Sequence, residues 1–239
     1  MSKAPIYLVC SPHAKTGAST ATRLLCDFMT FEERAFALFD TDPHSRALGA
    51  WFPSVCTPAD LSTTRGQIAL FDRLVMPGRE PRIVEVSSQI YARFLTQVRD
   101  IGLFEEAQKH DLEPVILFVT NGSNVAIEAA RALVSALPEA RLVPVVNEGP
   151  VRLGDQVHDH LEAFGSGYSL QIPQLDASAR DIIESPHFSL AGFLSSPPPD
   201  DMSLVVRADL RNWLKRVFTQ FHAYEVRKAF EDSSYLLSV

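Results

Sequence analysis

The fold of this chain is decided by residues 6–20, which read IYLVCSPHAKTGAST. An apolar run typical of a buried strand is followed by a short loop with one glycine. A segment of helical period, 18–29, then opens near Ser19 and Thr20. Backbone N–H groups and the positive end of the helix converge at such a junction, so an anion bound there is stabilised. The stretch therefore predicts an α/β fold with a phosphate-binding loop after its first strand.

The rest of the chain repeats this order of strand and helix. Short apolar runs followed by helical periodicity predict βαβ units, and hence a doubly wound three-layer sandwich with a mostly parallel sheet. Ligands of such sheets bind beyond the carboxyl ends of the strands. Pro144 is poorly suited to a central strand, because proline has no N–H to donate. The expected strands are 6–10, 35–39, 83–86, 114–119, 141–146 and 168–172, and the expected helices are 18–29, 67–75, 88–109 (one helix, or two interrupted near Gly102), 124–136, 154–164, a short one after Pro173, and 202–231.

Composition places the chain among soluble globular proteins. It has 239 residues, of which 46% are hydrophobic and 21% charged, and this suits one sizeable α/β domain. The net charge of −7 argues against broad nucleic-acid binding. No apolar run approaches the roughly 18 residues of a membrane span, no signal-peptide segment opens the chain, and the three cysteines lack metal-type spacing. We therefore expect a cytoplasmic protein with reduced thiols and no integral membrane association.

A proline-rich break at 195–201 sets off the last part of the chain. We expect a P-loop NTPase-like α/β domain over 1–195 and, over 196–239, the break and a C-terminal helix that packs on the same domain. An apolar stripe at helical spacing is typical of core packing, although a basic amphipathic helix also suits a membrane surface or DNA. The basic face of this helix carries Arg207, Arg211, Lys215 and Arg216.

The loop and the end of the second strand resemble the ParA/MinD family of deviant Walker-A P-loop ATPases. That family has a loop of the form K-G-G-x-G-K-[ST], followed by a D-x-D-P-Q switch. With Gly17 aligned to the last glycine, Ala18 takes the Walker lysine position and Ser19 the Mg²⁺-binding position. His13 takes the signature lysine position, so both lysines are absent and the loop is degenerate. The stretch 40–44 reads DTDPH, and its first Asp lies 22 positions after Ala18, the distance typical of the family.

Weaker similarities follow in the family's order. Glu85, within 84–88 (VEVSS), stands where the family's switch II has an Asp. Asn147, directly after a predicted strand, matches an adenine-contacting Asn, and Pro173 belongs to a stretch that lines the base. The similarity covers roughly residues 5–195. The plasmid-stability and conjugation-associated branch, StbB-like, is nearest in length.

The resemblance implies a site for ATP or ADP with Mg²⁺. In it Asp42 would orient the attacking water, with Asp40 as the second catalytic carboxylate. The metal would be held by Ser19, Asp40 and Glu85, in part through waters. The nucleotide-binding residues would be His13, Lys15, Thr16, Gly17, Ala18, Ser19, Thr20, Asn147 and Pro173.

Ordinary structural roles are open for the same residues. Ser19 and Thr20 are typical helix caps. Asp40 and Asp42 suit a turn before Pro43, and residues 147–150 (NEGP) are a turn by composition. Lys15 is more typical of a solvated side chain than of a catalytic one.

Three functions stay open on the sequence. The first is a ParA/MinD-like switch that binds ATP, hydrolyses it slowly and forms a homodimer. The second is a pseudo-ATPase that serves as a positioning or assembly adaptor for a protein partner or cargo. The third is a DNA-associated plasmid partition or conjugation factor that uses the basic helix face. Loss of one preorganised charge costs roughly 10²–10³ in rate, so weak hydrolysis is expected, while the backbone cradle can still bind an anion.

Overall fold

The computed structural model of the chain describes residues 3–42, 44, 47–149, 168–196 and 202–236, with side chains through residue 233. Strands and helices alternate along it. In chain order the elements are β1 (Ala4–Cys10), α1 (Ala18–Phe31), β2 (Ala37–Asp40), α2 (Ala47–Trp51), β3 (Cys56–Pro58), α3 (Thr64–Val75), β4 (Arg82–Val86), α4 (Tyr91–Asp100), α5 (Leu103–Lys109), β5 (Leu112–Thr120), α6 (Asn124–Ala136), β6 (Arg141–Asn147), β7 (Leu170–Ile172), α7 (Ala177–Ile183), α8 (Leu190–Ser195) and α9 (Leu204–Leu236).

The seven strands form one sheet in the order β3-β2-β4-β1-β5-β6-β7, and every neighbouring pair is parallel. Side chains alternate between the two faces of the sheet. In β1, Tyr7 and Val9 join one core while Ile6 and Leu8 join the other. Helices α1, α7, α8 and α9 cover the first face, and α3 to α6 cover the second. The predicted doubly wound α/β architecture is confirmed.

The last helix, α9, lies in the core along its apolar stripe. The ring of Phe28 in α1 packs between Phe218 and Phe221, with centroids 5.5 and 5.3 Å away. Near the end of α9, the buried Lys228 forms an ion pair with Glu113 at the start of β5. These contacts fix α9 on the same face of the sheet as α1. The buried stripe residues are Leu210, Trp213, Leu214, Val217, Phe218 and Phe221.

Two features differ from the sequence-based expectations. The segment 88–109 forms two helices, separated by Gly102 at φ +62°, a backbone conformation that glycine adopts without strain. Pro144, expected to avoid a central strand, lies in β6 between β5 and β7. It is tolerated there because the pairing of β6 with β7 begins only at Val145, so Pro144 faces no partner on that side.

The sequence analysis missed α2, β3 and α8, which have five, three and six residues. Elements this short are below the length at which periodicity can be recognised. The helix predicted over 154–164 and the residues 197–201 of the proline-rich break lie outside the described residues. The domain limits 1–195 and 196–239 therefore stay a prediction. In the described part of the chain, no helix is both long and apolar enough to cross a bilayer.

Candidate functional site

A cavity of about 490 Å³ lies at the carboxyl ends of the strands. This volume is within the range of small-molecule sites. Residues that are far apart in the chain meet here because parallel strands end at one edge of the sheet. Of the predicted site residues, Asp40 alone is not part of the lining. The walls include His13, Lys15, Thr16, Gly17, Ala18, Ser19, Thr20, Asp42, Glu85, Asn147 and Pro173.

The loop between β1 and α1 forms one wall. Helix α1 begins after Gly17, which adopts a left-handed conformation (φ +95°) and has no side chain to cap the helix. Ser19 and Thr20 lie inside the first turn, so they are not N-caps and this alternative was wrong. The first N–H groups of a helix have no intrahelical acceptor. Since no capping side chain takes them, the start of α1 offers donors to a ligand.

Asn147 at the end of β6 closes over this loop. The residue is 6% exposed. The Nδ2 group donates to the carbonyl of Thr16 (3.2 Å), and Oδ1 accepts from the N–H of Gly149 (3.2 Å). A Cβ at Gly17 would come within 1.9 Å of Nδ2, so only glycine permits this approach. Asn147 thus holds the loop against the sheet, and its contact with adenine stays a prediction.

Ser19 and Glu85 contact each other in the wall of the cavity. The Ser19 hydroxyl donates to Oε1 of Glu85 at 2.5 Å. Burial raises the pKa of Glu85 to about 7, the Ser19 hydrogen bond works in the opposite direction, and the charges of Asp40 and Asp42 add to the rise. A hydroxyl and a carboxylate at this distance supply the hard oxygen ligands that Mg²⁺ prefers.

The two aspartates at the end of β2, Asp40 and Asp42, have different surroundings. Asp40 is buried beside Glu85 in the sheet register, and burial raises its pKa. Its Oδ1 accepts from the N–H of Asp42 (2.9 Å), and Oδ1 of Asp42 accepts from that of His44 (2.8 Å). Both aspartates thus make turn-forming contacts with the backbone, which agrees with the alternative that they form a turn before Pro43. Asp42 lines the cavity, whereas Asp40 is not among the lining residues.

Thr41 ties these strand ends together. Its hydroxyl donates to the carbonyl of Glu85 (2.8 Å) and accepts from the N–H of Ser87 (3.0 Å). The end of β2 and the end of β4 are therefore linked by a buried hydrogen-bonded side chain. This linkage fixes where the carboxylates of Asp42 and Glu85 stand relative to each other.

The described lysines and arginines that line the cavity are Lys15, Arg23 and Arg180. Lys15 is exposed and has a positive φ of 61°. Arg180 donates to the carbonyl of Leu175 (3.3 Å). The sequence analysis named Lys15 but missed the two arginines, because only tertiary structure brings α7 and the middle of α1 to this edge.

Arg23 is occupied by the protein itself. It is buried and donates to the carbonyls of Ile183 and Phe188. Its Nε lies 3.6 Å from Oδ2 of Asp27, and its guanidinium stacks on Trp51 at 4.0 Å. The i, i+4 spacing of an arginine and an aspartate on one helix was the only signal in the sequence. Arg23 therefore fastens α1 to the 183–191 segment and does not replace a phosphate-binding lysine.

His13 lines the cavity and has a buried ring nitrogen. Its Nε2 has no hydrogen-bond partner among the described residues. Its backbone is held, because the N–H donates to Ser11 Oγ (3.4 Å) and the carbonyl accepts from Thr16 Oγ1 (3.2 Å). An orphaned nitrogen in this loop, with the oxygens of Ser19 and Glu85 nearby in the lining, fits a phosphate with a bound Mg²⁺. The described residues contain no group of three His, Cys, Asp or Glu suited to a metal, but Mg²⁺ needs only one or two carboxylates plus phosphate oxygens.

The raised pKa of Glu85 makes a stability prediction. Because the folded chain holds this proton up to about pH 7, the stabilisation is present below the unfolded pKa of 4.5 and is lost as pH rises through about 7. Glu85→Gln keeps an oxygen for the Ser19 hydroxyl and does not titrate. Between pH 5 and 8 we expect wild type to lose about 2–3 kcal/mol of unfolding free energy relative to this variant. Urea unfolding of both proteins at pH 5 and pH 8 measures this difference in unfolding free energy. Parallel pH profiles of wild type and Glu85→Gln would contradict the prediction.

Comparison with known proteins bears on this fold. No protein-family model and no curated protein matches the chain. A solved structure from Borrelia burgdorferi B31, of a protein assigned to plasmid partition and bound to AMPPNP, superposes with a TM-score of 0.52 at 12% identity, over 90% of this chain and 98% of that one. A nucleotide-binding protein from Archaeoglobus fulgidus in complex with ADP has a TM-score of 0.49 at 12% identity, over 77% and 88% of the two chains. A ParA family ATPase from Chlorobium tepidum TLS has a TM-score of 0.49 at 13% identity, over 89% and 98%.

At such low identity the likeness to the Borrelia burgdorferi protein shows the fold alone. It covers most of the parallel α/β structure of this chain. The resemblance found in the sequence is thereby confirmed at the level of the fold. This chain and the Borrelia burgdorferi protein therefore share one overall fold.

Proposed function

We propose that the cavity at the strand ends binds ATP or ADP with Mg²⁺, and that the chain acts as a nucleotide-dependent switch or a pseudo-ATPase adaptor in positioning, partition or assembly of a cargo. One observation carries the nucleotide: the loop 11–20, the start of α1 and the Ser19–Glu85 pair line one cavity. AMPPNP is bound to the Borrelia burgdorferi protein of the same fold, which supports ATP as the ligand.

The main predicted site residues have the following roles in this proposal. The N–H groups at the start of α1 bind phosphate oxygens, aided by the positive end of the helix. Ser19 and Glu85 would hold Mg²⁺, and Asp40 would contribute through a metal-bound water. Bound Mg²⁺ would neutralise charge on the β- and γ-phosphates. Asp42 orients the attacking water, and Asn147 and Pro173 flank the base.

The missing lysines limit the chemistry. Ala18 and His13 stand at the two lysine positions of the aligned loop, and Arg23 is already bonded to two carbonyls. Without these charges the transferring phosphoryl group has weaker electrostatic stabilisation, so turnover is slow. Nucleotide binding depends less on the two lysines, because backbone N–H groups of the loop supply most of the contacts to the phosphates. This balance favours a switch or adaptor over an efficient ATPase, with a homodimer across the nucleotide face as in the resembled family.

A DNA-binding role draws less support from the basic face of α9. Arg211 is half-buried with its guanidinium 6.0 Å from the Phe193 ring, and the half-buried Arg207 donates to the carbonyl of Met202. Lys215 and Arg216 are exposed. Two exposed charges would neutralise few phosphates, and the net charge of the chain is −7. DNA binding stays a prediction of the sequence.

Titration calorimetry with ATP and ADP, each with Mg²⁺, tests the proposal. We expect a dissociation constant of the order of 100 μM or tighter, equivalent to about −5.5 kcal/mol. Ser19→Ala should weaken Mg²⁺-dependent binding about tenfold by removing one metal ligand. Asp42→Ala should leave the affinity within about twofold and abolish residual turnover, since it acts on the water.

Ser54→Ala is the matched control, because it removes an exposed hydroxyl outside the nucleotide cavity. It should change neither the affinity nor the turnover. An absence of heat at millimolar nucleotide would remove nucleotide binding from the proposal. Rapid turnover that depends on Asp42 would instead identify an efficient ATPase and remove the adaptor.

A further inference from the structure

Helix α9 carries two stripes of side chains at coiled-coil spacing. The first stripe packs in the core against α1 and the sheet. The second stripe, the outer stripe, is exposed along its whole length and repeats at alternating steps of four and three residues. This spacing brings one face of a helix against another helix. The outer stripe consists of Asn212, Arg216, Thr219, Ala223, Val226, Phe230 and Ser233.

The C-terminal half of the outer stripe is apolar. Phe230 is 73% exposed and Val226 is 56% exposed. Ala223 precedes them on the same face of the helix, because residues three and four apart lie above one another. Burial of such side chains is favourable, and neighbouring exposed apolar groups are typical of an interaction surface.

The charges of the outer stripe indicate which partner fits it. Arg216 lies seven positions before Ala223, and Phe230 lies seven positions after it. If a second α9 crosses in the antiparallel direction at Ala223, each Arg216 stands level with Phe230 of the other copy, and Glu231 follows one residue further on. The side chain of Glu231 is 45% exposed, although it makes ion pairs within its own chain. Arginine attracts both the face of an aromatic ring and a carboxylate, so the surface is complementary to itself.

The same charges set the direction of the pair. In a parallel pair, Arg216 would lie beside Arg216 of the other copy, and the like charges would repel each other. The antiparallel pair separates these two charges. It also places the small side chain of Ala223 at the crossing point, where the distance between two helix axes depends on the side chains in contact.

We propose that two copies of the chain associate through the outer stripe of α9, antiparallel and centred on Ala223. The same surface serves both copies, so each contact occurs twice. The stripe from Arg216 to Ser233 is about 26 Å long, and so small a surface suits a weak dimer with a dissociation constant of about 10–100 μM. The proposal does not rest on nucleotide binding, because none of the outer stripe lines the nucleotide cavity.

Sedimentation equilibrium of the full chain without nucleotide measures this association. Ala223→Glu sets a carboxylate against the same carboxylate of the other copy and should weaken the dimer about tenfold or more. Ala208→Glu is the matched control, because Ala208 is also exposed on α9 but lies four turns before the crossing point. It should leave the dissociation constant within about twofold.

An exchange of charges tests the antiparallel register. Arg216→Glu and Glu231→Arg each set like charges against one another in their homodimers, and each should weaken association about tenfold. An equal mixture of the two variants restores attraction at both contacts and should form a heterodimer with close to the wild-type affinity. Because Glu231→Arg also breaks ion pairs within the chain and can impair folding, Phe230→Ala provides a second test at an exposed position. It should weaken the dimer about tenfold.

A chain that stays monomeric at about 1 mM would overturn the proposal. A dimer that Ala223→Glu leaves intact, or that Ala208→Glu weakens equally, would also overturn it. A mixture of the charge variants that stays monomeric would overturn the antiparallel register.

Other occupants of the outer stripe would give different results. A dimer that requires ATP with Mg²⁺ and persists in Ala223→Glu would belong to the nucleotide face, so it would overturn this surface and leave the nucleotide proposal in place. Binding of a monomeric chain to phosphatidylserine vesicles, lost in Phe230→Ala, would identify a membrane surface as the occupant and would overturn the second copy.

Discussion

Replacing Ala18 with lysine is expected to raise ATP turnover by about 10²–10³-fold. Ala18 is the first residue of α1 and lines the nucleotide cavity. A lysine there would place a fixed positive charge near the phosphates, where the transferring group develops its charge. Adding His13→Lys to this variant restores a lysine at the signature position of the aligned loop and should raise ATP turnover further. Phosphate release at saturating ATP with Mg²⁺ measures the effect.

Ala14→Lys is the matched control for this gain. Ala14 belongs to the same loop, lines the same cavity and is exposed, so the variant adds an equal charge at a different position. It should leave turnover close to that of the wild type. If Ala18→Lys binds ATP but turns it over no faster than Ala14→Lys, the alignment that makes Ala18 the missing lysine is wrong.

Gly17→Ala is expected to weaken nucleotide binding about 100-fold and to lower the free energy of unfolding by about 2–3 kcal/mol. Two causes add. The backbone at Gly17 is left-handed (φ +95°), where a Cβ is strained. The new Cβ would also lie 1.9 Å from Nδ2 of Asn147, so Asn147 must move and give up its bond to Thr16. The displaced side chain then no longer holds the phosphate-binding loop in place.

Gly49→Ala in α2 serves as the control for Gly17→Ala. Nothing lies within 4 Å of a Cβ built at Gly49. Alanine is favoured over glycine inside a helix, so this variant should be neutral or up to about 1 kcal/mol more stable. Denaturant unfolding and calorimetry compare both variants. Equal effects at Gly17 and Gly49 would show that the contact with Asn147 is unimportant.

Removing the Asn147 side chain separates the two causes. In Asn147→Ala the steric conflict with a Cβ at Gly17 is absent, whereas the strain of the left-handed backbone persists. The double variant Gly17→Ala/Asn147→Ala should therefore be more stable than the sum of the single changes, because neighbouring sites are not additive. Strict additivity would contradict the close approach.

Local sequence was sufficient for much of the fold. The strand before the loop, the helix after it and the capped start of α6 at Ser123 depend on neighbouring residues, so their patterns are visible in the chain. The short elements α2 and β3 were not visible, because tertiary packing stabilises them. Pro144 shows the same limit: whether a proline fits a strand depends on the partner strand, which the sequence does not show.

The candidate site divides in the same way. The spacing from Ala18 to Asp40 was enough to align the loop with the resembled family and to predict that Ser19 and Asp42 lie at one edge of the sheet. The register of β2 and β4 is what sets Asp40 beside Glu85. Similarly, Asn147 donates to the carbonyl of Thr16, which lies 131 positions earlier in the chain. No local sequence pattern spans such a separation.

By itself, the sequence determined a parallel α/β chain, because strands and helices are encoded over short stretches, and it predicted a phosphate-binding loop without the two lysines. Only the tertiary structure decided that Arg23 donates hydrogen bonds to the carbonyls of Ile183 and Phe188 while it pairs with Asp27. Those outcomes depend on which helix ends and loops the fold brings together. Burial then determines the protonation of Glu85 and the partners of each buried charge, since a group's surroundings in the folded chain set its solvation and its neighbours.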